Sequence, residues 1–201
     1  MSDSATCKSM ITPAGALILA AGFGSRFGGA KLSALLDNGQ PVLQQTLHQI
    51  LAADLPVVVV SRPEVITSLS LNPNPRLRLL SFTAAERGMG ASLAFGISQI
   101  DDWNTCLVCL ADMPFIASAT YRTIVDAARS DNIVVPQYDS RSGNPVAFGR
   151  QFYARLRELD GDAGGRHIIS AFSDRVLHLP VTDPGILADI DTPADLVRLQ
   201  Q

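Results

Sequence analysis

Two cations, Arg26 and Lys31, stand in a glycine-rich segment whose residue types suit phosphate binding. The segment follows a short apolar run and contains Gly22, Gly24 and Gly28. Glycine has no Cβ, so backbone N–H groups can approach an anion closely, and successive N–H groups form a concave anion site. Fixed cations beside such a loop can hold a triphosphate and stabilise a departing pyrophosphate. By spacing alone, a turn with solvated charges is the alternative.

Two better-known phosphate loops do not fit this segment. The dinucleotide-binding fingerprint G-x-G-x-x-G requires a third glycine at position 27, where the sequence has Phe27. The P-loop ends in G-K-S/T, but Ala30 separates Gly29 from Lys31. Leu32 then stands where the hydroxyl residue is required. The spacing therefore indicates an anion loop of another kind.

Carboxylates follow two other parts of the chain and could hold a metal ion. Asp112 closes an apolar run, and Asp191 stands in the acidic segment Asp189–Asp195. A carboxylate at a strand end can bind Mg²⁺, which prefers oxygen ligands and keeps several waters. Asp189 is the weaker candidate, because strand alternation places it on the same face but farther from the turn. The alternatives are a cap or turn role for Asp112 and, near Asp191, a helix capped by Thr192.

Apolar runs and helical patterns alternate along most of the chain. The predicted strands are Gly15–Ala20, Pro56–Val60, Leu77–Phe82, Cys106–Ala111 and Asn132–Pro136, and the predicted helices are Val42–Ala53, Gly90–Ile100, Ala117–Ala128 and Arg166–Phe172. Continuous apolar strands separated by helices predict a three-layer αβα fold with a mostly parallel central sheet. Ligands bind beyond the carboxyl ends of such strands, where the glycine-rich loop, Ser61, Arg62, Asp112 and Asp191 are expected.

Length and charge limit the function classes. A chain of 201 residues predicts one domain, residues 14–201, preceded by a flexible tail, residues 1–13. A net charge of -3 argues against general nucleic-acid binding, which needs a basic face. We expect no membrane span and no signal peptide, and hence a cytoplasmic protein. Cys106 and Cys109 lie within an apolar run, which predicts core packing rather than redox or metal chemistry.

The chemistry-bearing segments resemble those of a known enzyme class. Residues 19–31 are similar to the signature L-A-A-G-x-G-x-R-x-G-x-x-K of sugar-phosphate and cofactor nucleotidyltransferases, with Arg26 and Lys31 on the signature's cations. Asp112 matches the aspartate of G/A-D-M-P, with Ala111 in place of the common glycine. Asp191 matches the second aspartate of D-I-D-T-P-x-D-L. The resemblance implies that these two aspartates share the metal on the nucleotide.

Three further motifs narrow the resemblance. Residues 88–93 resemble G-M-G-x-S-L, residues 141–146 resemble R-x-G-N/H-P-V, and residues 161–166 resemble G-D-x-G-x-R. Together they are similar to the molybdenum cofactor cytidylyltransferases of MocA type, within the MobA-like NTP transferases. That family implies a Rossmann-like nucleotidyltransferase fold and transfer of CMP from CTP to the phosphate of molybdopterin, with Mg²⁺ bound and pyrophosphate released. Guanylyl relatives usually have L-A-G-G where this chain has L-A-A-G, which favours CTP over GTP.

The resemblance assigns a role to each matching residue. The implied catalytic residues are Lys31, Arg26 and Asp112, and the implied metal ligands are Asp112 and Asp191. Nucleotide contacts are expected from Leu19, Ala20, Ala21, Gly22, Gly24, Ser25, Arg26, Lys31, Ser61, Arg62, Gly88 and Ser92. Acceptor contacts are expected from Asn144, Pro145, Asp162 and Arg166.

Other functions compete with this interpretation. A related transferase could use GTP or a different phosphorylated acceptor. A nucleotide-binding regulator could share the fold without turnover, although the retention of Lys31, Asp112 and Asp191 argues against it. Members of the family can hand cofactor to a molybdoenzyme, so the resemblance also implies a transient molybdoenzyme client. We expect a monomer.

Overall fold

Strands and helices alternate in the part of the chain that the computed structural model describes, which is residues 12–24, 26–28, 30–68 and 73–200. The strands are β1 (Thr12–Ala20), β2 (Val57–Ser61), β3 (Leu77–Ser81), β4 (Trp103–Leu110), β5 (Ile133–Tyr138), β6 (Arg141–Ser142), β7 (Val146–Gly149) and β8 (Val176–Pro180). The helices are α1 (Val42–Ala52), α2 (Pro63–Ser68), α3 (Met89–Ser98), α4 (Ser118–Ala127), α5 (Tyr153–Arg157), α6 (Arg166–Ala171) and α7 (Pro193–Arg198).

The predicted elements correspond to β1–β5, α1, α3, α4 and α6, with ends that differ by a few residues. The last two residues of the predicted tail, Thr12 and Pro13, belong to β1, because Thr12 pairs with Trp103 of β4. Residues 1–11 lie outside the described part of the chain. Strands β6, β7 and β8 have no counterpart among the predicted elements.

The strands form one mixed sheet in which β3, β2, β1 and β4 are parallel neighbours. Beyond β4 comes β7, which runs antiparallel to both β4 and β5. The parallel strand β8 pairs with β5, and the two-residue β6 also pairs with β5. The prediction of a mostly parallel α/β sheet is therefore confirmed, and the antiparallel β7 is an addition to it.

Alternate residues of each inner strand enter two cores, one on each face of the sheet. In β1, Leu17 and Leu19 pack in the first core with α3, α5 and α6. Ile18 and Ala20 pack in the second core with α1 and α4. This alternation is the two-residue period of a strand, and it confirms the three-layer αβα arrangement.

The two cysteines of the apolar run follow the same alternation. Cys106 lies in the first core and Cys109 in the second, and both are free and fully buried. Burial raises the pKa of both thiols, because a thiolate would be poorly solvated there. The expectation of core packing is consistent with these positions.

No helix in the described part of the chain is long and apolar enough to cross a membrane.

Candidate active site

The carboxyl ends of three parallel strands lie side by side at one edge of the sheet. Ala20 of β1 pairs with Ser61 of β2, and Leu19 pairs with Leu110 of β4. The chain segments that leave these ends carry the glycine-rich loop, Arg62 and Asp112, so the sheet register brings them together. They border a cavity of about 760 Å³.

Most of the predicted site residues line this one cavity. They are Leu19, Ala20, Ala21, Gly22, Gly24, Arg26, Lys31, Arg62, Gly88, Ser92, Asp112, Asp162, Arg166 and Asp191. Ser25 lies outside the described residues. The loop and both aspartates therefore face a common space, as a site at the carboxyl ends of parallel strands requires.

The glycine-rich segment forms a turn before it delivers Lys31. Gly24 has a φ of 59°, which side chains disfavour, and its carbonyl accepts a hydrogen bond of 2.9 Å from the Phe27 amide. Lys31 then opens a short 3-10 helix, Lys31–Ser33. The main chain thus reverses at the glycine and returns to the cavity at the lysine.

Lys31 joins the two aspartates of the predicted metal site. Its Nζ lies 2.6 Å from Oδ2 of Asp112 and 3.2 Å from Oδ1 of Asp191. The second oxygen of Asp191 accepts a hydrogen bond of 2.9 Å from Arg26 Nη1. The side chains of Lys31 and Asp112 are only 12% and 18% exposed, whereas Arg26 is 78% exposed. The Lys31–Asp112 contact is therefore far less screened by solvent than the Arg26–Asp191 contact.

Burial and charge act in opposite directions on this pair. Burial raises the pKa of Asp112, and the nearby Lys31 ammonium offsets part of that increase. Burial alone would lower the pKa of Lys31, but the carboxylates of Asp112 and Asp191 outweigh it and raise the pKa. Lys31 therefore stays positively charged at neutral pH.

The donor set fits a hard divalent cation. Oδ1 of Asp112 is buried and has no hydrogen-bond partner within the described part of the chain, so one carboxylate oxygen is open to a ligand. Among the described residues, no group of three or more acidic, histidine or cysteine side chains could hold a metal. Asp112 and Asp191 would therefore act as a pair, and Mg²⁺ is bound in this way when substrate phosphates and water complete its shell.

Asp191 is positioned by the helix that follows it. Thr192 caps α7, and its hydroxyl and the Asp195 carboxylate form a reciprocal capping box. The Asp195 carboxylate also accepts a hydrogen bond of 3.3 Å from the Asp191 amide. One residue earlier, the buried Ile190 donates its amide to the Asp112 carbonyl at 3.0 Å. Main-chain contacts on both sides thus hold Asp191 beside Asp112.

Asp189 does not lie on a strand, contrary to the expected alternation. The segment from position 188 to 191 has no regular secondary structure, and the 3-10 helix Pro184–Leu187 precedes it. Asp189 is exposed and lines the cavity, and, after burial itself, its negative charge contributes to the raised pKa of Asp112. The hydrogen bond from Lys31, however, goes to Asp191, so Asp191 is the residue of this segment that shares a direct partner with Asp112.

Phe23 is a wall residue that the sequence reasoning did not select. The Arg62 guanidinium carbon lies 4.5 Å from the centre of the Phe23 ring, and Arg62 Nη1 is 2.5 Å from Oε1 of Glu64. Nε of Arg62 is buried and has no hydrogen-bond partner among the residues that the structure describes. All three side chains line the cavity on the β2 side. The only sequence signal was an aromatic residue at the variable position between Gly22 and Gly24.

Three predicted residues do not line the cavity. Ser61 is fully buried, and its hydroxyl donates to the Ala20 carbonyl at 2.9 Å. Asn144 and Pro145 lie in the connection between β6 and β7, where the Asn144 amide donates to the Ile186 carbonyl at 3.0 Å. Ser61 thus ties β2 to β1, and the Asn144 segment joins the sheet to the chain that leads to Asp191.

Comparisons with known proteins agree with this geometry. The sequence profile of the MobA-like NTP transferase domain matches residues 16–176. No curated protein was found to match the chain. Among solved structures, Rv0371c of Mycobacterium tuberculosis H37Rv superposes with a TM-score of 0.80 at 24% identity, over 94% of this chain and 98% of that one.

Two further structures extend the comparison. A nucleotidyl transferase from Methanothermobacter thermautotroptrophicus, Mth528, has a TM-score of 0.77 at 21% identity, over 94% of this chain and 96% of its own. A structure of Rv0371c in complex with manganese has a TM-score of 0.75 at 25% identity, over 94% of this chain and 98% of its own. The fold is thus that of nucleotidyltransferases, and at least one similar protein binds a divalent metal.

Proposed function

The chain belongs to the MobA-like NTP transferase family, and on that premise we propose that it transfers CMP from CTP to the phosphate of molybdopterin, with release of pyrophosphate. One observation carries the proposal. Lys31, Arg26 and the two aspartates come from distant parts of the chain, yet they meet in one cavity beside the glycine-rich loop. Cations and a carboxylate pair beside an anion loop are what phosphoryl chemistry on a nucleotide requires.

The reaction is a direct in-line displacement. An oxygen of the acceptor phosphate forms a bond to the α-phosphorus of CTP, and the bond from that phosphorus to the β-phosphate oxygen breaks. Pyrophosphate leaves with the electron pair. The nucleophile is already an anion, so neither a covalent intermediate nor a general base is needed. Positioning and charge stabilisation provide the rate enhancement.

The cations and the carboxylates have different tasks in this displacement. Lys31, which stays charged, neutralises negative charge that develops on the transferring phosphate and the leaving group. Arg26, at the exposed side of the site, contributes to the same charge balance. Asp112 and Asp191 would hold Mg²⁺, which would supply positive charge to stabilise the negative charge of the phosphates.

The choice of CTP rests on the residues at the end of β1 and directly after it. Leu19, Ala20, Ala21 and Gly22 all line the cavity, so the part of the signature that distinguishes cytidylyl from guanylyl relatives lies where a nucleotide is proposed to bind. Arg62 and Ser92, from the ends of β2 and the start of α3, add polar groups to the same wall. These residues argue against the alternative in which the same active site uses GTP.

The acceptor side rests on Asp162 and Arg166. Both line the cavity, and Arg166 is the first residue of α6. A cation there suits an acceptor that carries a phosphate. Because Asn144 and Pro145 lie outside the cavity wall, we assign them a structural role and take acceptor contacts from the other two.

We propose a single cytoplasmic domain, residues 14–201 together with Thr12 and Pro13 of β1, that acts as a monomer and passes its product to a molybdoenzyme client. A regulator that binds nucleotide without turnover is disfavoured by the complete set of Lys31, Asp112 and Asp191 in the cavity. An acceptor other than molybdopterin remains compatible with the same chemistry.

Pyrophosphate release tests the proposal directly. The purified protein with Mg²⁺ receives CTP or GTP, with molybdopterin present or omitted. Release from CTP that depends on molybdopterin is the expected result. Preference for GTP would overturn the base assignment, and no release from either nucleotide would overturn the proposed reaction.

A matched pair of aspartate variants ties the activity to the site. Asp191→Asn should lower turnover by about 10²-fold or more, since it removes charge from the carboxylate pair. Asp189→Asn removes the same charge from an exposed neighbour in the same segment and should stay within about threefold of the parent. Equal losses in both variants would argue against Asp191 as a specific ligand.

A further inference from the structure

The loop of residues 160–165, here called the acceptor-side loop, rests directly on the start of α3. This loop carries Asp162 and leads into Arg166, while the start of α3 carries Gly88 and Ser92. All four of these residues line the one cavity. The two segments that are proposed to bind the acceptor and the nucleotide are therefore in contact with each other.

The contact leaves no room for a side chain at position 88 or position 90. A Cβ on Gly88 would lie 2.4 Å from Oδ1 of Asp162 and 2.6 Å from the Gly161 carbonyl oxygen. A Cβ on Gly90 would lie 2.8 Å from the carbonyl oxygens of both Asp160 and Gly161. Main-chain oxygens cannot rotate away as a flexible side chain can, so the loop itself would have to move.

Polar contacts also connect the acceptor-side loop and the start of α3. The Gly90 amide donates to the Gly161 carbonyl at 2.6 Å. That amide belongs to the first turn of α3, where no partner within the helix is available to it. Nearby, Arg87 Nη2 lies 3.2 Å from Oδ2 of Asp160. A hydrogen bond and an ion pair thus both connect the acceptor-side loop to the segment at the start of α3.

We infer that Gly90 is a positioning residue, which seats the acceptor-side loop on the nucleotide-binding start of α3. Arg87 and Asp160 assist it through their ion pair. The inference rests on the proposed function for the identity of the two ligands. A nucleotide that immobilises the start of α3 also orders the loop that presents Asp162 and Arg166, and so prepares the acceptor side before the acceptor arrives.

Hydrogen exchange of the whole chain, measured by mass spectrometry, tests the contact between the acceptor-side loop and α3 without any ligand. Arg87→Ala should speed exchange of the amides of residues 160–165 by about two- to fivefold, because it removes a solvent-exposed ion pair that holds this loop. Gly90→Ala should do so at least as strongly. Exchange in β1 and β4 should not change in either variant.

Arg155→Ala is the matched control, because Arg155 of the neighbouring α5 forms a similarly exposed ion pair with Glu158, the residue that follows this helix. It should leave the exchange of residues 160–165 unchanged. Arg87→Lys retains the charge and should retain most of the protection of residues 160–165 against exchange. If Arg87→Ala and a folded Gly90→Ala both exchange like the parent in this loop, the proposed positioning of the loop by Gly90 is excluded. A Gly90→Ala chain that fails to fold leaves the decision to Arg87→Ala.

Nucleotide addition tests the consequence. CTP or GTP with Mg²⁺ should protect residues 19–24 and also residues 160–165 in the parent, and Arg87→Ala, which changes a residue outside the cavity lining, should weaken only the second effect. Protection of 19–24 without protection of 160–165 in the parent would overturn the inference and leave the proposed function intact. Protection of neither segment by either nucleotide would overturn the proposed function. The comparison without ligand would still decide whether Gly90 positions the acceptor-side loop.

Discussion

The Lys31 ammonium lies 2.6 Å from an oxygen of Asp112, in a contact that is largely shielded from solvent. The same nitrogen reaches Asp191 at 3.2 Å, so one positive charge stands between the two carboxylates that are proposed to bind Mg²⁺. Oδ1 of Asp112 has no hydrogen-bond partner among the described residues, but both oxygens of Asp191 accept hydrogen bonds, one from Lys31 and one from Arg26. A metal ion that binds both carboxylates therefore competes with one of these cations for Asp191, and its charge opposes that of Lys31 at both carboxylates. The triphosphate of the incoming nucleotide offers the cations another partner.

Removal of Lys31 should slow the reaction without unfolding the protein. Lys31→Ala is expected to reduce turnover by about 10²–10³, the effect of losing one group that stabilises transition-state charge. Pyrophosphate release at saturating nucleotide measures this loss, and circular dichroism confirms that the fold is retained. Turnover within threefold of the parent would exclude the proposed role of Lys31.

Metal binding without nucleotide should become tighter when the lysine charge is removed. Lys31→Met is expected to lower the Kd for Mn²⁺ about tenfold, since a charge at this range alters the affinity of a carboxylate for a proton by at least that factor. Titration followed by electron paramagnetic resonance measures the Kd in the absence of nucleotide. The control is Arg26→Met, which removes an exposed charge from Asp191 and should change the Kd by about twofold or less. Weaker binding in Lys31→Met would show that the lysine does not compete with the metal.

Ser61 should affect stability rather than nucleotide binding. Its hydroxyl is buried against the Ala20 carbonyl, so Ser61→Ala is expected to lower the free energy of unfolding by about 1 kcal/mol. The KM for nucleotide should stay within about twofold of the parent. Arg62→Ala, at the next residue but within the cavity wall, should instead raise that KM. Urea unfolding and steady-state kinetics on both variants separate the two roles, and a raised KM in Ser61→Ala would contradict the assignment.

The capping box of α7 should weaken in acid. The hydrogen bond from Arg198, followed by that from Thr192, lowers the pKa of Asp195 to about 2. A carboxyl group whose pKa falls on folding stabilises the folded state above its unfolded value of about 3.9, and this contribution disappears as the pH falls toward 2. The ¹³C shift of the Asp195 carboxyl group measures the pKa. Arg198→Ala should raise it toward the unfolded value, whereas an unchanged pKa would mean that Arg198 is not the main cause.

The sequence by itself determined the features that depend on neighbouring residues. The apolar run of β2 is buried along its whole length, as expected for a central parallel strand. Thr192 caps α7, which the sequence offered as an alternative role for the segment near Asp191. The glycine pattern gave the turn that precedes Lys31. Each of these follows from backbone preference or from the period of burial, both of which can be read within a few residues.

Elements with a weak local pattern were not predictable. β6 has two residues, β7 has four, and β8 lies at an edge with most of its side chains exposed. Short or half-exposed strands show neither an apolar run nor a clear alternation. Only their pairing with β4 and β5 makes them strands, and that pairing depends on distant residues.

Tertiary structure alone decided which side chains meet. The sequence marked Lys31 and Asp191 by type and motif, but the two are 160 positions apart, and only the packing of the segment before α7 against Asp112 brings them within hydrogen-bond distance. Ser61 and Arg62 are adjacent in sequence, yet one is buried against β1 and the other lines the cavity. A residue's type limits the chemistry it can perform, while the register and packing of distant segments decide which partners it has.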